Sequence, residues 1–362
     1  MLYELEYSEQ EIPFDRGVLA IDGHLGRIPE DRFLGEPGDG PIETEVLGHQ
    51  LEVRRDLSAD WDVLVGLTWR DTSLRGFSTE AELSGSRQRL SGDGRTLTRQ
   101  RRFRNYDAEY LVGRLELGGR LDLAGAEHRV LIGVDRDRFE NDQFFERYRA
   151  PSLAADPTLE QSYVIDVLEP VYGRFPLPAT GPLTDRTETL GSTGLYAQDQ
   201  FALGDRLDVR VGLRFDAFEQ DLDDRRSGVR RDQSDERLTA QLGLVYGLRN
   251  GFALYGSYAQ GFRANTGADA AGGQFDPNES ESLEAGLRLE GVAGLSGTLA
   301  AFLVRQDNIL TFDPLNPFFL VEAGEAESRG LELDVTGRVA GLDLAFSWAW
   351  TDAEVTSDVL DP

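Results

Sequence analysis

From Leu207 to Ala217 the chain alternates: Leu207, Val209, Val211, Leu213, Phe215 and Ala217 share one parity, and Asp208, Arg210, Gly212, Arg214 and Asp216 the other. A period of two belongs to an extended strand with one apolar and one polar face. Charges of both signs on the polar face predict that it meets water rather than a dry core. With the segment before it, joined at Gly204-Asp205-Arg206, this makes Gly194–Phe218 a hairpin with a very short turn.

The unit recurs. Leu51–Leu57 and Trp61–Trp69 flank Ser58-Ala59-Asp60, and Tyr110–Leu121 and His128–Phe139 flank a Gly/Asp/Ala turn. Leu238–Tyr246 precedes Gly247–Gly251 and then Phe252–Phe262; Leu283–Leu289 precedes Gly291–Gly294 and then Leu295–Asn308; Leu331–Val339 precedes Gly341 and then Leu342–Trp350. With Leu2–Tyr7 this predicts roughly thirteen strands, many near the ~9–11 residues that a tilted membrane strand needs. Short turns carry Gly, Asn and Asp, as tight hairpins demand. They alternate strictly with long connections, expected over Phe14–Thr44, Ser73–Thr98, Glu140–Leu190, Glu219–Asp235, Arg263–Glu279 and Thr311–Glu325. A soluble sandwich has no reason to segregate short and long connections to opposite ends; a transmembrane barrel with short periplasmic turns and long outer loops does. The fold expectation is therefore all-β, an antiparallel transmembrane β-barrel. Aromatics near strand ends (Trp61, Trp69, Phe215, Phe218, Tyr246, Phe252, Phe262, Trp348 and Trp350) read equally as interfacial girdle residues or as good strand formers.

Composition supports this. The 362 residues contain no run near the ~18 apolar positions of a helical span. A mean hydropathy of -0.38 fits strands whose two faces average out. There is no cysteine, which removes disulfides, thiolate metal sites and cysteine nucleophiles together. The formal net charge of -28, from 37 basic and 65 acidic residues, argues against nucleic acid as a partner. Met1 is not followed by a basic segment and an apolar core, so no secretory signal is read here; since an outer-membrane protein needs one, either the membrane reading fails or the true N-terminus lies elsewhere.

Candidate chemistry is sparse. The three histidines, His24, His49 and His128, show no metal-ligand spacing, and no nucleophile elbow or phosphate-cradling glycine loop is present. His49 reads as a surface histidine rather than part of a hydrolase rim, and no catalytic residue, metal site or cofactor is expected. The cluster Asp221, Asp223 and Asp224 with Arg225 and Arg226 reads as a charge-balanced loop tip, with cation binding as the alternative. Asn278-Glu279-Ser280 fits a glycosylation sequon by chance. The segment Glu140–Leu190 combines Phe144, Phe145, Tyr148, Tyr163, Tyr172 and Phe175 with Arg147, Arg149 and Arg174 and several prolines. Stiffened aromatic loops with arginine suit a large, flat, anionic ligand through stacking and charge-assisted hydrogen bonds. The alternative is an outer loop packed on itself.

Leu195-Tyr196-Ala197-Gln198-Asp199-Gln200 with Val211-Gly212-Leu213-Arg214-Phe215-Asp216 resembles the mid-barrel hairpin of TonB-dependent outer-membrane receptors. So do Tyr255–Arg263, Phe275–Ser280 with Glu284–Leu287, Ala323–Glu325 with Ser328–Leu333, and Trp350–Val355. Ile12–Gly17 and Arg32–Asp39 resemble the siderophore-receptor branch. The motifs run in the family's order across almost the whole chain. The resemblance implies a single barrel domain over residues 1–362, holding about thirteen of the family's twenty-two strands, and without the family's N-terminal plug, TonB box or closing strands. It implies a parent protein that imports ferric siderophores across the outer membrane of a Gram-negative cell, energised by TonB-ExbB-ExbD through a plug. The expected setting is outer-membrane lipid and lipopolysaccharide, as a monomer when complete. Ligand contacts are expected from Phe144, Phe145, Arg147, Tyr148, Tyr163, Tyr172 and Arg174. Another nutrient such as cobalamin or a glycan, and a passive porin or adhesin barrel, are the alternatives. Gly212 and Gly286 are expected on the inner parity, packed closely against a plug, with Arg329-Gly330 opening a strand and Glu332 inward.

Overall fold

Alternating segments joined by tight turns can satisfy their backbone only by pairing with their neighbours in the chain, and they do. The computed structural model describes residues 1–21, 23–265, 269, 275–312, 320–322 and 324–357. Its strands are β1 (Leu2–Ile12), β2 (Ile42–Asp56), β3 (Trp61–Ala81), β4 (Thr96–Leu97), β5 (Arg99–Leu123), β6 (Ala126–Tyr148), β7 (Ile165–Asp166), β8 (Gly181–Leu203), β9 (Leu207–Asp224), β10 (Val229–Gly247), β11 (Phe252–Arg263), β12 (Asn278–Val292), β13 (Leu295–Asp307), β14 (Leu310–Phe312), β15 (Leu320–Glu322), β16 (Glu325–Val339) and β17 (Leu342–Ser357). Among the described residues thirteen of them form one antiparallel sheet in chain order, from β1 to β17, while β4 pairs with β7 and β14 with β15. Among the described residues β1 and β17 do not pair with each other.

The register sets the two faces. One outward row runs Val53, Val65, Leu115, Val134, Leu195, Phe215, Leu238 across seven strands, each residue directly opposite the next. This exposed apolar band is what a lipid-facing surface requires. The neighbouring inward row runs Glu52, Gly66, Arg114, Asp135, Gly194, Asp216, Arg237. Trp348 and Trp350 lie half exposed on the same parity as Leu344 and Phe346. Phe218, read equally as a girdle aromatic or a strand former, lines an inner trough of about 1230 Å³ with Arg214 and Asp216.

Inner-face glycines make room for side chains of the wall itself. A Cβ on Gly194 would collide with the Arg214 guanidinium, which there reaches Asp135 through two bonds of 2.7 and 2.8 Å. A Cβ on Gly133 would lie 2.3 Å from the Tyr196 ring, whose hydroxyl donates to Glu116 at 2.6 Å. Gly286 likewise lies under Tyr255, bonded to Glu284 at 2.6 Å, and Gly212 under Gln241. The neighbours at Gly212 and Gly286 are thus the barrel's own side chains. Gly330 accommodates the Phe302 ring.

The connections are shorter, and the strands longer, than the pattern predicts. β3, β5, β6 and β8 run 21 to 25 residues, about twice a bilayer crossing. The expected loop Glu140–Leu190 shrinks to residues 149–180, because the pairing of β6 with β8 continues to Arg147 opposite Gly181. The expected loop Glu219–Asp235 is a paired hairpin up to Asp224 opposite Val229. Ser73–Thr98 reduces to residues 82–98. The expected connections Arg263–Glu279 and Thr311–Glu325 lie partly outside the described residues.

The dry core sits above the bilayer. Segments 13–41, 82–98 and 149–180 converge around Ile21, Ile28, Leu34, Leu90, Leu97, Ile165 and Val167. Arg99, 2 % exposed, ties them together. Its Nε donates to the Tyr163 carbonyl at 3.0 Å, Nη1 to the Gly35 carbonyl, and Nη2 to Glu36 at 3.2 Å, while its plane lies 4.4 Å from the Tyr163 ring centre. Glu36 also accepts from the Gly173 amide at 3.1 Å. Removing one partner of such a pair leaves the other charge buried, at a cost of about 3–5 kcal/mol. We expect Arg99→Ala to make residues 13–41 and 149–180 sites of rapid protease cleavage while the sheet keeps its far-UV circular dichroism. Gly133→Ala is expected to cost about 1–3 kcal/mol by displacing Tyr196, measured by denaturant unfolding in detergent. Gly92→Ala, with open space around the new Cβ, is the near-neutral control.

Candidate functional site: an arginine–aromatic cluster at the inner rim

Where β3, β5 and β6 rise above the apolar band, their inward positions bring together Ser78, Glu80, Gln100, Arg102, Arg104, Phe145 and Arg147. Arg102 stands directly opposite Ser78 on one side and Arg147 on the other, and Arg104 opposite Phe145. Like charges opposite each other destabilise a sheet. The segment after β1 adds Phe14 and Arg16. Three arginines, Arg16, Arg102 and Arg104, thus converge on one carboxylate, with Arg147 directly opposite Arg102, in a chain whose net charge is strongly negative.

Glu80 is the hub. It accepts from Arg104 at 2.6 Å and Ser78 at 2.8 Å, and pairs with Arg16 at 2.9 Å and Arg102 at 3.4 Å. Burial works to raise its carboxyl, but the bonds from Arg104 and Ser78 and the charges of Arg102 and Arg104 outweigh it and hold Glu80 below the usual carboxylate range. Burial pulls the Arg102 guanidinium down; Glu80 opposes this, while Arg104, Arg16 and Arg147 add to it. Arg147 is lowered by burial and by Arg149 and Arg87, with Glu82 opposing them. The Phe14 ring lies 5.2 Å from Arg16 and 4.9 Å from Arg104, and Phe145 lies 5.7 and 5.8 Å from Arg102 and Arg104. One carboxylate cannot neutralise three guanidiniums, so the cluster keeps a positive field focused between aromatic faces. It suits an anionic ligand with flat groups.

The residues expected as ligand contacts are scattered by the fold. Phe145 and Arg147 enter the cluster. Phe144 and Tyr148 take the opposite parity of the same strand, Phe144 edge-on to Phe103 at 6.3 Å and Tyr148 donating to the Gln161 carbonyl at 2.7 Å. Tyr163 is 1 % exposed, with burial pushing its hydroxyl up to about 12; it packs the cap and is closed to an outside ligand. Tyr172 donates to the Phe33 carbonyl at 2.8 Å, and Arg174 stacks on Phe175. The loop is thus partly packed on itself. Arg16, Arg102, Arg104 and Phe14 were not anticipated, although the run Arg99-Gln100-Arg101-Arg102-Phe103-Arg104 is the densest basic stretch of an acidic chain.

Other candidates find partners of their own. Asp224 accepts from the amides of Arg226 and Ser227 at 3.0 and 3.1 Å, Arg230 pairs with Asp223 at 2.8 Å, and Arg225 reaches across to Asp142 and Asp185. Among the described residues no group of three or more histidine, aspartate or glutamate side chains is placed to hold a metal. His49 shares a 2.8 Å hydrogen bond with Tyr3 beside Trp69, and His128 a 2.7 Å bond with Asp199.

An antiparallel meander with an apolar outer band, a polar inner wall and a long-stranded outer end is the wall of an outer-membrane β-barrel. The family model described as TonB dependent receptor-like, beta-barrel, matches residues 3–361. The chain belongs to this family of outer-membrane transporters and receptors, which are not enzymes. It is 34% identical over 366 residues to the metal-pseudopaline receptor CntO of Pseudomonas aeruginosa strain UCBPP-PA14, covering 99% of this chain and 50% of that protein. It is 28% identical to the ferrichrome outer membrane transporter/phage receptor of Escherichia coli K12, over 64% of this chain and 30% of that one. The siderophore receptor PiuA of Acinetobacter baumannii has the same fold, with a TM-score of 0.78 at 17% identity over 98% of this chain and 54% of PiuA. The chain spans about half the length of the curated relatives to which it is most fully aligned.

Glu80 makes the cluster's integrity depend on pH. Its lowered folded-state value means that its stabilisation is full above the ordinary value of 4.5 and is lost as pH falls below that toward the folded value. Protease resistance of residues 13–41 should therefore fall as the pH drops below 4.5, and Glu80→Gln should be equally susceptible at both ends of the range.

Proposed function

We propose that the protein to which this chain belongs carries a metal–siderophore complex across the outer membrane, driven by TonB-ExbB-ExbD acting through a plug. The observation that carries the ligand side of this reading is the inner-rim cluster, three arginines sharing the single carboxylate of Glu80, with Arg147 beside them and two aromatic rings on the wall that faces inward. Arg16, Arg102, Arg104 and Arg147 attract the anionic part of the ligand, and Phe14 and Phe145 stack on its flat part. Of the loop residues singled out from sequence, Phe145 and Arg147 are direct contacts in this reading. Phe144, Tyr148, Tyr172 and Arg174 lie at the outer rim around them, and Tyr163 acts by holding the cap. The relatives' printed names support a metal chelate as cargo: one is a receptor for metal-pseudopaline, another a transporter of ferrichrome. Binding needs no covalent chemistry and no resident cofactor. In the membrane the apolar band meets lipid and lipopolysaccharide around a monomer.

The test is uptake of radiolabelled iron by a receptor-deficient Gram-negative strain expressing the intact receptor. Iron is presented as an anionic chelate, ferric citrate, and as a neutral one, ferrichrome. Arg102→Ala with Arg147→Ala is expected to reduce uptake of the anionic chelate at least tenfold, with surface expression unchanged. Equal uptake of every chelate by the variant and the parent would reject the cluster as the ligand site. Uptake that persists without TonB would reject energised import in favour of a passive barrel.

A further inference from the structure

Residues 13–20, which follow β1, cross the cluster as a strap. Among the described residues no backbone hydrogen bond joins this segment to the rest of the protein. The Gly17 amide instead donates back to Asp15 at 2.8 Å, with Gly17 at a left-handed φ of 74°. A segment without ladder bonds stands at the low-stability end of a fold. Side chains alone hold it. Val18 and Leu19 pack on the cap core, the Phe14 ring lies 4.9 Å from Arg104, and Arg16 Nε pairs with Glu80 at 2.9 Å. Phe14, Arg16 and Leu19 of the strap and Glu80, Gln100 and Arg102 of the wall line one cavity of about 230 Å³. That is below the ~300–1,000 Å³ of sites that enclose a whole drug-sized ligand, so it has room for one group of a larger molecule.

The Arg16–Glu80 pair is asymmetric. Glu80 is 3 % exposed and keeps Arg104, Arg102 and Ser78 if Arg16 leaves, whereas the Arg16 side chain is 57 % exposed. Opening the pair therefore strands no buried charge, the outcome that makes most buried pairs costly to break. A ligand moves a segment only by binding one arrangement better than the other. Here Arg16 supplies that difference, because an anion entering the cavity offers it a second partner. Resting on the functional reading above, we propose that residues 13–20 are a charge-operated clamp. Arg16 exchanges Glu80 for the anionic group of the chelate, and the strap, turning at Gly17 with Phe14 following, closes over the cargo and slows its release. A neutral chelate offers Arg16 nothing better than Glu80 and leaves the strap where it is.

The test is backbone hydrogen exchange of residues 13–20 in the intact receptor in detergent, read by mass spectrometry with the amides of β5 as the folded reference. Saturating ferric citrate is expected to slow exchange of the strap at least tenfold, and neutral ferrichrome to leave it unchanged. Glu80→Gln should speed exchange in the free protein yet keep the protection by ferric citrate, because Arg16 still meets the anion. Arg16→Gln should speed exchange and lose the protection, and ferric citrate should dissociate from it at least tenfold faster. If ferric citrate binds and Arg102→Ala weakens that binding, a strap left unprotected in the parent, or protected equally in Arg16→Gln, overturns the inference while the functional reading stands. If the parent binds no ferric citrate, the cluster fails as an anion site and both fall.

Discussion

Lipid offers no hydrogen bonds, so every amide and carbonyl of a membrane-crossing chain must be paired within the protein. Here that requirement is met by pairing each long strand with its neighbours in sequence, an arrangement that short turns make available. Once the register is set, everything else about the wall follows. The apolar row from Val53 to Leu238 faces outward because each residue is opposite another of its kind. The polar row beside it must then face inward. Gly66 and Gly194 in that row leave space, and Arg114 and Arg214 fill it on their way to Glu52 and Asp135. The inner wall is therefore not a loose water-facing surface; its charges are largely committed to one another.

Above the bilayer the constraint changes from hydrogen-bond satisfaction to burial. The strands continue, but the three segments that join them can cover apolar side chains only by packing against each other. Arg99 is the point where they meet, binding two of the segments through carbonyls and a third contact through Glu36. A few residues along the same strand, Arg102 and Arg104 take the other parity and face inward. Two uses of one basic run thus differ by parity along the strand: one arginine is neutralised and buried to build the cap, the others are left in excess around Glu80. Excess positive charge between aromatic rings is costly to the free protein and favourable once an anion arrives. That difference is the physical basis for reading the cluster as a site rather than as packing.

Much of the wall was legible from the sequence. The thirteen strands of the sheet, their order and the parity of the central hairpin follow from alternation and turn residues alone. The lengths were not, because beyond the bilayer both faces of a strand meet water or polar neighbours. Alternation then disappears while pairing continues, so Glu219–Asp235 looks like a loop and is a hairpin. The ligand contacts were half legible for the same reason. Composition could mark Glu140–Leu190 as aromatic and basic, but it could not show that Tyr163 lies in the cap, that Phe144 and Phe145 face opposite ways, or that Arg102 lies across from Arg147.

What the sequence determined by itself is whatever a period of two can encode: extended strands, an apolar face and a polar one, and short turns that force antiparallel neighbours. These are local properties, readable within a dozen residues. Only the tertiary structure decided which polar side chains neutralise one another and which remain unpaired. Those partners lie dozens of residues apart, as Arg99 does from Glu36 and Tyr163, and the distance between them is set by register and loop packing rather than by any local preference.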